Sequence, residues 1–221
     1  MNDLKDSEGG PSYSLPCPQC MTIVLPQFQI CPKCGFNLTP NLKKAKLSPL
    51  ALCNAIIRVS VDTVDVFLNQ VKNYIGEGIV ISPKTDLKLR ITLLTNNLAL
   101  ARVMLPTGLP DYTKIDKLIR KYDKVVERFF KGTMEEKRLR KLVTTQFKLR
   151  SDTLWEAAND GSLQHVLQMS LQVLLEDTLE QSGIPLSNKQ SPSIESDIFY
   201  GKLGTSFIDL MTYYFKLTQL E

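Results

Sequence analysis

The spacing of four cysteines constrains this chain more than any other feature. They read Cys17-Pro18-Gln19-Cys20, then ten residues, then Cys31-Pro32-Lys33-Cys34-Gly35. A C-x-x-C turn brings two thiols together while its backbone N–H groups point at the sulfurs. Two such turns on a short connector close four soft ligands round one point, the arrangement that tetrahedral Zn2+ requires. Four thiolates leave no position for water, so the expected ion is a single structural Zn2+ held by Cys17, Cys20, Cys31 and Cys34. The competing readings of the same thiols are a disulfide pair or a thioredoxin-type redox motif. Redox chemistry usually uses one C-x-x-C in a βαβ context, which is missing here. The fifth cysteine, Cys53, sits among Leu50, Ile56 and Ile57 and reads as a small buried hydrophobe.

Gly35 suits a tight turn that needs positive φ, whereas the first turn has Met21 at the equivalent place. The connector from Met21 to Ile30 is β-branched and aromatic on both sides of Pro26-Gln27, which predicts two short strands and a turn. Residues 15–38 resemble a small zinc ribbon of the C-P-x-C…C-P-x-C-G type, over roughly a tenth of the chain. The resemblance implies a closed structural zinc site. Zinc ribbons serve in nucleic-acid machinery and as docking modules alike, so the ribbon alone does not assign a function. Its surface says more. Between Ser12 and Leu38 the only charged side chain is Lys33. A module that grips phosphates would be expected to carry several Lys or Arg. This one offers apolar residues instead, and Ile23, Leu25 and Phe28 are the candidate partner-binding residues. They would dock on the chain's own helices or on another protein.

The remainder is expected to be mainly α: a helical bundle or array of about six helices behind the ribbon and its short β-hairpin. Residues 1–14 read as a disordered acidic tail, 39–47 as a linker and 48–221 as an all-α domain. Ser48-Pro49 and Ser82-Pro83 each carry a capping serine and a first-turn proline. The first helix runs to Gly76, with Leu50, Ile57, Val61, Val64, Leu68, Val71 and Ile75 at helical spacing. The second ends near Leu105, before Pro106, Gly108 and Pro110. A third spans about Asp111 to Lys131. Thr133 and Glu136 form a capping box for a fourth that ends near Gly161. Ser162 caps a fifth helix to about Gln181. A loop at 183–194 precedes a sixth, from about Glu195 to the C-terminus.

Net charge is +4, but it is unevenly spread. Residues 114–150 hold 13 Lys/Arg against 5 Asp/Glu, and residues 151–221 hold 3 against 10. On the third helix Lys114, Lys117, Lys121, Lys124 and Arg128 fall on one stripe, with Ile115, Leu118, Tyr122, Val125 and Phe129 as the buried face. Lys137, Lys141 and Lys148 add a second basic row on the fourth, near Arg138 and Arg140. Two such rows are candidate nucleic-acid contacts; a solvated face, or pairing with the acidic C-terminal helices, is the plainer explanation. The lone His165 excludes two-histidine metal centres and reads as exposed. Nucleotide-binding and hydrolase signatures are absent, so no small-molecule substrate or catalysis is expected. The N-terminus has no secretory apolar run. The longest uncharged stretch, Gly9 to Pro32, is broken by prolines and cysteines, and no other reaches the ~18 residues of a membrane span, so a soluble cytoplasmic protein is expected. The expectation is a non-enzymatic adaptor or assembly subunit that meets another protein or a multi-subunit complex. The alternative is a nucleic-acid-binding or transcription-associated protein using residues 114–150.

Overall fold

A computed structural model describes residues 15–17, 20, 22–24, 28–38, 45–75, 80–110, 112–161, 163, 175–176, 179–180 and 206–220. The acidic tail at 1–14, Leu25, the loop at 76–78, Ser162, His165 and the loop at 183–194 lie outside the described residues.

Ser48 and Ser82 act as the sequence demands. The Ala51 N–H donates to Ser48 Oγ at 3.2 Å, opening α1 (Pro49–Ile75). The Thr85 N–H donates to Ser82 Oγ at 3.2 Å, opening α2 (Pro83–Gly108). In both helices the proline occupies a first-turn position whose missing N–H would have no intrahelical partner. The second helix does not stop at Leu105. It carries Pro106 in its last turn and closes with the Leu109 N–H donating to Leu105 O at 3.1 Å. A proline so near the end forfeits one hydrogen bond without interrupting a long ladder.

α2 is the central helix. It packs on α1, α3 (Ile115–Thr133) and α4 (Lys137–Asn159). From Ile91 to Leu105 only Leu94 and Arg102 escape full burial. That run has one charge, so the helix can be enclosed on nearly every side. Its polar side chains are absorbed locally. Asn97 Nδ2 donates to Thr63 Oγ1 at 3.0 Å and to Ser60 O at 3.3 Å, tying α2 to α1. Tyr122 Oη donates to Leu98 O at 3.0 Å from α3. Buried Arg150 of α4 donates to Thr92 O, and desolvation pulls its pKa down to about 10. Across the surface Arg102 grips Asp123 at 2.8 and 3.3 Å.

Several boundaries differ from the sequence reading. Thr133 is the last residue of α3 and does not cap α4; its hydroxyl donates to Phe129 O at 2.8 Å, four residues back. A hydroxyl bonded to its own turn is not available for the next helix. Glu136 precedes α4 without a side-chain cap bond. α3 begins at Ile115, later than Asp111, and its buried face is Leu118, Ile119, Tyr122, Val125, Val126 and Phe130. Ile115 and Phe129 are only half-buried. Leu50 and Val61 of α1 are exposed, although they fit its apolar spacing.

The six-helix count is not matched. Beyond α4, residues 206–216 are helical, while most of the expected fifth helix lies outside the described residues. The expected sixth helix does not continue to the end either. After Leu217 the chain becomes extended, and β4 (Thr218–Leu220) pairs in parallel with β3 (Ala45–Leu47). The register is Ala45↔Thr218, Lys46↔Gln219 and Leu47↔Leu220. Residues 45–47, read from sequence as linker, are therefore half of a two-stranded sheet that joins the two ends of the helical body.

Candidate metal centre

Each C-x-x-C turn is a reversal that sets the residues before its first cysteine antiparallel to those after its second. β1 (Leu15–Pro16) pairs with β2 (Ile23–Val24) round the first turn, with Leu15↔Val24 and Pro16↔Ile23. Round the second, an antiparallel bridge joins Ile30 to Asn37. The hairpin expected across Pro26-Gln27 is not seen among the described residues. The connector residues pair instead with the opposite arm of their own turn.

The two halves repeat one another at an interval of fourteen residues. The Cys17 N–H donates to Thr22 O at 2.7 Å, and the Cys31 N–H donates to Phe36 O at 2.8 Å. The Thr22 N–H donates to the Cys20 sulfur, and the Phe36 N–H to the Cys34 sulfur. Gly35 has φ +71°, where a side chain would be strained, and its N–H donates to Cys31 O at 2.9 Å. A duplicated turn of this kind delivers two sulfurs from each side to one point.

The four sulfurs converge. Cys17 Sγ lies 3.6 Å from Cys34 Sγ, and Cys20 Sγ lies 3.6 Å from Cys31 Sγ. All four fall within 4.8 Å of one another. A disulfide needs about 2.05 Å, so these are free thiols and the disulfide reading fails. A tetrahedral ion with metal–sulfur bonds of about 2.3 Å sets its ligands about 3.8 Å apart. The donor set and spacing therefore fit one metal ion held by Cys17, Cys20, Cys31 and Cys34, and four soft sulfurs suit zinc. The thiols are also predisposed to ionise unequally. The Thr22 hydroxyl, 3.3 Å from Cys20 Sγ, and the Thr22 N–H hold Cys20 down to about 6. Desolvation pushes Cys34 up, with the Phe36 N–H opposing it. Cys53 lies apart in α1, buried, with its thiol pushed up to about 11 by desolvation.

The module's interior is Cys17, Val24, Cys31, Phe36 and Leu38, completed by Leu217 from the far end of the chain. Tyr213 packs against it, and its hydroxyl donates to Leu38 O at 2.8 Å. Sequence reasoning did not find this support. Its one signal was the cluster Tyr213-Tyr214-Phe215, which reads as core or interface.

Of the candidate partner-binding residues, Phe28 is 43% exposed, and its neighbour Ile30 is 56% exposed. Ile23 lies in β2, and Leu25 is outside the described residues. Lys114, Lys117, Lys121, Lys124 and Arg128 are all exposed along α3, and Lys137 and Lys141 are exposed on α4. Among the described residues these seven enter no ion pair. Among the described residues the ion pair between α3 and α4 is Lys148 Nζ to Glu127 Oε1 at 3.6 Å. No helix of the described residues is long and apolar enough to cross a membrane.

No family model matches the chain, and neither does any curated protein or solved structure.

Proposed function

We propose that this chain is a non-enzymatic zinc-binding adaptor or assembly subunit that works through protein–protein contact. The ion is structural. Four thiolates saturate a tetrahedron, so the centre holds the module's shape and offers no site for a reacting water. The observation that carries the docking role is the exposure of Phe28 and Ile30 on a module whose Val24, Phe36 and Leu38 are buried. The module has used its inner apolar residues on the chain's own C-terminal segment and still presents two large ones to solvent. Exposed aromatic and aliphatic side chains on a rigid mount are the usual anchors of an interface.

The test is the double variant Phe28→Ala with Ile30→Ala in the full chain. Metal content is expected to stay at one ion per chain, while recovery of partner proteins after nuclease treatment falls at least tenfold. Undiminished recovery of every partner would remove the docking role.

A second reading is favoured by one specific observation, the exposed row on α3 that enters no ion pair among the described residues. Exposed lysines in a row can displace counterions from a phosphate backbone. On this reading, RNA or DNA binding falls steeply with salt, and Lys117→Glu with Lys124→Glu abolishes it. Absence of binding at low salt excludes it.

A further inference from the structure

The C-terminal segment touches two parts of the molecule that do not otherwise explain one another. On one side it meets the helical body. Phe207 sits edge-on to Phe67 of α1, with ring centroids 6.5 Å apart. The buried Phe215 ring lies so close to Gly108 of α2 that an added Cβ would come within 2.2 Å of it. On the other side the segment meets the metal module through Leu217 and the Tyr213–Leu38 hydrogen bond. Beyond these contacts the chain pairs with β3.

Leu38 is the link. Its N–H donates to Gln29 O at 2.7 Å, inside the second turn of the module, and its carbonyl accepts from Tyr213. The position of that carbonyl is therefore set by the second C-x-x-C turn. A module this small has too little apolar interior to hold the turn without its ion. Leu217 depends on the same residues, since it belongs to one buried cluster with Cys17, Cys31 and Leu38.

We propose that residues 206–220 form a metal-dependent clasp: with the four thiolates sharing an ion, Leu38 and the module's interior hold Tyr213 and Leu217 in place, and without it the clasp opens from its C-terminal end. Opening unpairs β4 from β3 and bares Leu217. Continued peeling exposes the buried stripe of Leu210, Met211, Tyr214 and Phe215. The coupling is reciprocal, as any linkage between two sites must be. Loosening the clasp at Gly108, which belongs to α2 and not to the module, therefore weakens the hold on the metal. The clasp rests on the zinc reading above and adds to it a control over which surface the protein presents.

The experiment uses the full chain in two steps. Metal content is measured first; a chain that takes up no Zn2+ ends the zinc reading itself. On chain that does take it up, hydrogen–deuterium exchange is compared with and without chelation by EDTA. Peptides covering 217–221 are expected to exchange at least tenfold faster after chelation, while peptides from the centre of α2 stay unchanged. Transfer of Zn2+ to a chromophoric chelator is then timed for Gly108→Ala and for the milder Tyr213→Phe. Both are expected to bind one ion and release it at least threefold faster than the parent chain. The clasp is overturned if exchange at 217–221 is the same with and without metal, if α2 opens to the same extent, or if both variants release Zn2+ at the parent rate.

Discussion

A Cys31→Ser chain is expected to lose its metal and the fold of the module together, while α1 to α4 stay. Cys31 is 1% exposed, and its backbone closes the second turn through Phe36 and Gly35. Its sulfur is 3.6 Å from Cys20. Serine keeps the size but offers a hard, protonated oxygen in place of a thiolate. Structural zinc in isolated fingers supplies about 10–16 kcal/mol of apparent binding free energy at neutral pH, and that energy is folding energy for so small a unit. A centre with three thiolates keeps too little of it to hold the turn. α1 to α4 have their own core, with Leu52, Leu89, Leu98, Leu105 and Tyr122 fully enclosed. Far-UV circular dichroism should therefore keep the helicity of α1 to α4, with any loss confined to the released 206–216 segment, and elemental analysis should show no bound ion. Cys53→Ala is the control: that sulfur is buried in α1 away from the other four, and its removal should leave metal content at one ion. Equal metal content in the Cys31→Ser chain would mean that the four thiols do not act as one site.

The second large effect is expected at Phe130. This side chain is 1% exposed on α3 and sits edge-on to Phe147 of α4, with centroids 6.3 Å apart. Truncation to alanine removes the ring's burial and leaves a cavity that two long helices cannot collapse, at a cost of about 3–5 kcal/mol. For a chain of this size that lowers the melting temperature by about 10 °C or more. Its neighbour Phe129 is the informative comparison, because the apolar spacing of the sequence picks Phe129 for the buried face. Its ring centroid is 5.7 Å from that of Phe130, but it is only half-buried. Phe129→Ala is therefore expected to cost clearly less than Phe130→Ala. Thermal unfolding of the two variants side by side decides between the spacing argument and the observed rotation of α3. A larger loss at Phe129 would place the core on the wrong face of the helix.

That rotation shows what residue spacing can and cannot carry. The stripe from Lys114 to Arg128 is exposed as its period requires, because a row of charges has only one cheap place to be. The apolar side is wide enough to accept a small turn about the helix axis. Contacts with α2 and α4 settle it, and those contacts are not local. The same limit explains Leu50 and Val61, which have the right period in α1 but reach past the edge of its neighbours. The serine–proline starts of α1 and α2 were legible because capping is decided within four residues. Thr133 and Glu136 fit the same pattern by spacing, yet α3 ran on far enough to claim the threonine hydroxyl.

At the metal centre the ligands were legible and their support was not. Two C-x-x-C turns can meet only by bringing their sulfurs together, so ligand identity follows from spacing alone. The strand partners did not follow, since the β-branched connector suits pairing with itself as well as with the arms of its own turns. Leu217 and the three-residue strands β3 and β4 are beyond any local signal. Three extended residues have no period to detect, and their partners are more than 170 positions away in the chain. The apolar surface of the ribbon posed the right question, whether it docks on the chain itself or on another protein. It is divided: Val24, Phe36 and Leu38 face inward to meet Leu217, and Phe28 and Ile30 remain outside.

X-ray absorption at the zinc edge, on freshly purified full-length chain with parallel elemental analysis, tests the shared site most directly. One zinc per chain with four sulfur neighbours at about 2.3 Å is the expected result. Chain without bound metal, or metal whose nearest neighbours are nitrogen or oxygen, would contradict it.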